Sequence, residues 1–246
     1  MKVQINVPDS LKDITLEQYQ KFEKLNTEEN KDSSFLLQKM IEIFCNLNLR
    51  DVANIKYKSV QEITKHLNKV FDVKTDLTPT FKLGGIEFGF IPVLDDMTLG
   101  EYIDLDTYLG DWENMDKAMN VLYRPITVNN KNRYNIEDYK ESDNTEIFKD
   151  MPLDIVMGSL VFFLEFKQGV ITNYPEIFES GNEENDFGAA AGFGKKWGWL
   201  SSIYGLAQKD ITRFDTITKL NVHQCLIYLA FEKEKIELEK KQIRNK

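Results

Sequence analysis

Thr80-Phe81-Lys82-Leu83-Gly84-Gly85-Ile86-Glu87-Phe88-Gly89-Phe90-Ile91 is the stretch that decides between an all-helical and a mixed fold. Apolar and polar residues alternate on either side of Gly84-Gly85, the pattern of two strands joined by a tight turn, and Pro92 ends it. A lone hairpin is marginal in water, so a further strand is needed. Val3, Ile5 and Val7, alternating with Lys2, Gln4 and Asn6 before Pro8, supply the candidate. The fold class expected is α+β: a predominantly helical single domain over residues 1–246 with a small antiparallel β-sheet, made of the N-terminal strand plus the hairpin.

Helices are expected on both sides of the hairpin. Asp13-Ile14-Thr15-Leu16-Glu17-Gln18-Tyr19 places Thr15 as N-cap, Gln18 at the third helical position, and Ile14 and Tyr19 where a hydrophobic staple closes. Asp96-Met97-Thr98-Leu99-Gly100-Glu101-Tyr102 repeats the arrangement. A capping box requires these residue types, so both are read as helix starts rather than as a functional duplication. Three- and four-residue apolar spacing predicts a helix from Ser34 to about Asn48, and Ser59-Val60-Gln61-Glu62 predicts a third capping box ahead of Ile63, Leu67, Val70 and Phe71. A further helix should run from Trp112 to Tyr123 and stop at Pro125. Tyr134 and Ile136 allow at most a short strand or turn. Another helix, with Pro152 in its first turn, should reach about Lys167.

Residues 179–196 read as a flexible Gly-rich loop, acidic in its first half and rich in small residues in its second. Trp197 to Ala207 and a turn near Lys209-Asp210 follow. The last helix, about residues 221–246, alternates charges at spacings that favour intrahelical pairs and ends in Lys240, Lys241, Arg244 and Lys246, which suit the negative end of its dipole. It lacks a continuous apolar stripe, so it should be solvated or covered by a partner.

Composition excludes several classes of function. Forty acidic against 31 basic residues give a formal charge of −9, which disfavours direct nucleic-acid contact. Two Cys and two His leave few soft metal ligands. No apolar leader is evident in the first ten residues. The apolar stretch Met151–Phe166, broken by Asp154 and Glu165, reads as too short to span a bilayer, so no membrane contact is expected.

The stretch around Gly188–Gly194 lacks the Gly-x-x-x-x-Gly-Lys-Ser/Thr pattern of a phosphate loop, and no strand precedes it as a dinucleotide fingerprint requires. His223 and Cys225 form no metal set with His66 and Cys45 on spacing alone. Asp104 and Asp106 lack the remaining ligands of a calcium loop. No catalytic residue, cofactor or metal is therefore expected. Trp112 should pack in the core with Met115 and Met119. Trp197 and Trp199, which straddle Gly198, are candidate partner-binding residues. Asp104, Asp106 and Asp111 join them, because from Asp95 to Asp116 the chain carries eight acids and no Lys or Arg. That acidic centre and the basic C-terminal end could set a head-to-tail or partner contact.

Three stretches carry a resemblance: Asp13-Ile14-Thr15-Leu16-Glu17-Gln18-Tyr19-Gln20-Lys21-Phe22; Met97 to Asp106 running on to Ala118-Met119-Asn120-Val121-Leu122-Tyr123-Arg124-Pro125-Ile126; and Trp197-Gly198-Trp199 to Leu206-Ala207. Together they resemble a group of tailed-bacteriophage proteins, from gut crAss-like and marine phages, encoded among virion structure and assembly genes. The resemblance covers most of the chain and carries over no catalytic residue. It implies a non-enzymatic role in virion neck or tail structure or assembly. The implied partners are other phage structural proteins, or further copies of the chain in a homo-oligomeric ring. The implied location is the host bacterial cytoplasm during assembly, with the virion as a further one. Three alternatives are a tail assembly chaperone absent from the mature particle, a phage protein inhibiting a host factor, and a metal-dependent enzyme using Asp104, Asp106 and Asp111.

Overall fold

A computed structural model describes residues 5–31, 33–130, 133–141, 145–178 and 189–244. In chain order the elements are α1 (Leu16–Glu23), α2 (Ser34–Phe44), α3 (Leu49–Ala53), α4 (Tyr57–Phe71), β1 (Thr80–Leu83), β2 (Ile86–Phe90), α5 (Leu99–Tyr108), α6 (Met115–Leu122), β3 (Tyr123–Asn130) and β4 (Arg133–Ile136). Then follow α7 (Leu153–Asn173), α8 (Pro175–Phe178), α9 (Ala189–Leu206), α10 (Phe214–Thr218) and α11 (Val222–Arg244). The protein is 63% helical with one four-stranded antiparallel sheet of order β1-β2-β3-β4, a mainly helical α+β fold.

The hairpin forms where the sequence places it. Gly84 and Gly85 have φ of 57° and 83°, the left-handed pair that a two-residue turn demands. Its sheet partner differs from the expected one. Ile5 and Val7 are not in a strand; they pack against Ile41, Cys45, Val52 and Val60 of the helices, while residues 1–4 lie outside the described residues. The third strand is β3, in register with β2 through Phe88↔Pro125 and Phe90↔Tyr123. Pro125 therefore sits inside a strand instead of stopping a helix. Its carbonyl accepts from Glu137 N at 3.0 Å, one residue past the end of β4, so its missing N–H falls at the end of a ladder.

The chain divides into two compact units, residues 1–90 with 108–162, and residues 91–107 with 163–246. In the first, Tyr19, Phe22, Phe44, Phe71 and Trp112 form a connected aromatic cluster with ring centroids 4.6 to 5.7 Å apart. A second cluster, Phe81, Phe88, Phe90, Tyr123 and Phe148, joins the sheet to the segment Glu146–Asp150. Thr15 caps α1 as expected: its hydroxyl accepts from Gln18 N and Gln18 Oε1 accepts from Thr15 N. Ser59 caps nothing, because α4 already begins at Tyr57.

In the second unit Thr98 repeats the box, with Glu101 Oε2 accepting from Thr98 N at 2.7 Å and from Thr98 Oγ1 at 2.9 Å. The starts of α5 and α11 are stitched together by Leu99 N donating to Leu220 O and Val222 N donating to Met97 O. Met97, Leu99, Tyr102, Leu105, Phe163, Val222 and Leu226 are fully or almost fully buried. The Gly-rich stretch departs from the loop expected: from Ala189 onward it is helical, and residues 179–188 lie outside the described residues. The helix breaks later, at Gly198, whose φ of 42° and ψ of −126° only glycine adopts readily.

α7 runs past the expected end to Asn173, and by length and composition it is apolar enough to cross a membrane. Leu153, Val156, Phe163 and Val170 are nevertheless buried within the protein. Lys167, on the same helix, is ion-paired. Val161, Phe162 and Leu164 of the same helix are 51%, 43% and 46% exposed, so α7 is covered by protein on only part of its surface.

Candidate functional site

Asp106, near the end of α5, is held by two long-range contacts. Its Oδ1 accepts from Lys167 Nζ at 2.5 Å and its Oδ2 from Trp199 Nε1 at 2.9 Å. Tyr102, one turn earlier on α5, meets the Trp199 ring edge-on at 5.7 Å, and Phe178 approaches it at 6.3 Å. Burial, and then the charge of Asp106, raises the Tyr102 hydroxyl above its ordinary pKa, so it remains neutral at physiological pH. Trp199 and Asp106 thus satisfy each other, which makes this pair an internal anchor. Trp197, on the other side of the Gly198 break, is 41% exposed.

Several other acids of the central run are also engaged. Asp111 caps the turn Trp112–Asn114, accepting from Glu113 N at 2.9 Å and Asn114 Nδ2 at 3.2 Å. Glu113 pairs with Lys24 at 3.0 Å. Asp116 is buried and accepts from Thr145 Oγ1 at 2.5 Å. Asp104 is half-buried and has a partner within the chain. Asp104 and Asp106 belong to the second unit and Asp111 to the first. Asp106 and Asp111 each hold their own segment in place. Among the described residues no group of three or more His, Cys, Asp or Glu side chains is placed to hold a metal ion.

His223 lies in the first turn of α11 between two partners the sequence did not indicate. Its Nε2 is 3.0 Å from Asp95 Oδ1 and its Nδ1 is 3.1 Å from Tyr174 OH. Asn221 caps the same helix, accepting from His223 N and Gln224 N, and donates from Nδ2 to Asp95 O. With both ring nitrogens occupied, His223 works as a clip between segments. Cys225, two residues on, is buried, and burial raises its thiol pKa, which leaves it a poor nucleophile.

The first unit contains a cleft of about 320 Å³ lined by Phe88, Arg124, Glu137, Tyr139, Lys140 and Ile147, among others. Its lining carries charges of both signs beside aromatic side chains.

The exposed apolar side chains of the second unit fall in lines. On α9, Leu200 and Tyr204 are 44% and 47% exposed. On α11, Ile227, Phe231 and Leu238 recur at spacings of four and seven, all more than half exposed, which keeps them on one side of a helix. Phe231 and Leu238 border a shallow groove with Glu234, Lys235, Glu237 and Lys241. In the sequence this side is hidden by the charged residues interleaved along the helix.

Fold and surface together define a mainly helical α+β protein with apolar side chains of α9 and α11 open to solvent. Comparison of the chain with protein-family models, curated proteins and solved structures finds no match.

Proposed function

We propose that the chain is a non-enzymatic protein of tailed-phage virion structure or assembly, acting in the neck or tail through protein–protein contacts. The observation that carries the contact role is the alignment of Leu200 with Tyr204 on α9 and of Ile227, Phe231 and Leu238 on α11, exposed in the single chain. Contiguous apolar surface on a water-soluble helix is stabilised by being covered. The phage assignment rests on the resemblance of the three stretches beginning at Asp13, Met97 and Trp197. Its partners are other phage structural proteins or further copies of the chain.

Mass spectrometry of purified particles, combined with pull-downs from infected cells, tests the reading. Stoichiometric presence in the particle is the result expected for a virion component. Absence from the particle with recovery of a tail protein from cells assigns the chain to assembly. Absence from both overturns the proposal.

A further inference from the structure

α11 is docked along only its first half. Val222, Cys225 and Leu226 are buried, and Lys233 Nζ donates to the Glu176 carbonyl in α8. From residue 234 to residue 243 every position is exposed. The apolar periodicity does not stop where the docking stops. Val222, Leu229, Ile236 and Ile243 recur every seven residues, a spacing that keeps them along one line of a helix. Val222 is fully buried and Leu229 half-buried, yet Ile236 is 47% and Ile243 75% exposed. The stripe that builds the core of the second unit therefore continues bare for three further turns.

We infer that this overhang is a self-association surface, and that its occupant is the same segment of a second copy of the chain, packed antiparallel. The polarity of charge along the overhang selects that occupant. Its first part carries Glu234, Glu237 and Glu239 against the single base Lys235, and Lys240, Lys241, Arg244 and Lys246 follow. Parallel in-register pairing sets acid against acid and base against base. Antiparallel pairing sets the acidic part of each copy against the basic end of the other. With Ile236 of one copy against Ile243 of the other, Glu239 faces Lys240 of the second copy, and the two-fold axis repeats each contact.

Lys240 lies on the line between Ile236 and Ile243, the kind of single polar residue in a seam that fixes orientation at some cost in stability. Among the described residues no ion pair within the chain engages Glu237, Glu239, Lys240 or Lys241. These charges are thus available to a second copy. Such an isologous contact closes on itself as a dimer rather than growing into a ring. A seam of a few turns lies below the roughly 1,200 Å² of stable interfaces, so the dimer is weak and concentration-dependent. The inference stands independently of the phage reading.

Sedimentation equilibrium of the full chain over a range of concentration tests it. The wild type should show a monomer–dimer equilibrium that weakens as salt rises. Ile236→Asp should abolish it with the far-ultraviolet spectrum unchanged, since the position is solvent-exposed in the monomer. Lys240→Glu should weaken association by about tenfold, the order expected when a close charge pair is replaced by a repulsion. The double exchange Glu239→Lys with Lys240→Glu should restore it, because the antiparallel seam pairs again. A wild-type chain that stays monomeric at all concentrations overturns the inference. So does a dimer indifferent to Lys240→Glu, or one that the double exchange fails to rescue.

Discussion

The two units use similar side chains to different ends. Residues 1–90 with 108–162 enclose two aromatic clusters, and many of their exposed apolar residues, such as Phe35, Leu49, Tyr57 and Val73, stand on separate elements. Scattered exposure of that kind is ordinary for any folded surface. Residues 91–107 with 163–246 have a smaller core held by long-range polar clips: Asp106 with Lys167 and Trp199, and Asp95 with His223 and Tyr174. Their exposed apolar residues line up along α9 and α11. Both units leave apolar residues exposed, and those on α9 and α11 of the second recur along a helix face.

The largest expected effect breaks this contrast from the side of the core. Phe44 is 1% exposed and packs against Phe22 and Phe71. Phe44→Ala should cost about 3–5 kcal/mol, measured as a shift in denaturant midpoint, because the site cannot collapse around the lost ring. A cost under about 1 kcal/mol would show that the first unit is less self-sufficient than its packing indicates. A smaller effect sharpens the contrast from the side of the clips. Asp106→Ala removes the acceptor of both Lys167 and Trp199 and should cost about 1–3 kcal/mol, with Trp199 emission moving to the red as its ring loosens. Asp106→Ala that left stability intact but weakened a partner contact would return Asp106 to the partner-binding role expected from sequence.

What the sequence made legible was local. The boxes at Thr15 and Thr98, the Gly84-Gly85 turn and the start of α11 at Asn221 are encoded within a few residues, and each forms. The turn near Lys209 forms too, with positive φ at Gln208 and Lys209. β3 was missed because Pro125 normally marks an end, and only its pairing with Phe88, far away in sequence, places it inside a strand. Helix from Ala189 was missed because glycine outweighed the helix propensity of Ala189, Ala190 and Ala191.

The candidate site was the least legible part. The central run of acids reads as an unpaired patch only because Asp106 and its partners are 61 and 93 residues apart, and Asp95 and His223 are 128 apart. Spacing carries no information on such pairs. Conversely, the heptad line Val222, Leu229, Ile236, Ile243 was present in the sequence, but its functional meaning depends on where burial stops.

Amide hydrogen exchange of the full chain at low and high concentration tests the central claim most directly. Protection over residues 234–243 should rise with concentration, while amides in α2 and β2, already inside a closed core, remain unchanged. Protection over 234–243 that is the same at every concentration would contradict the account.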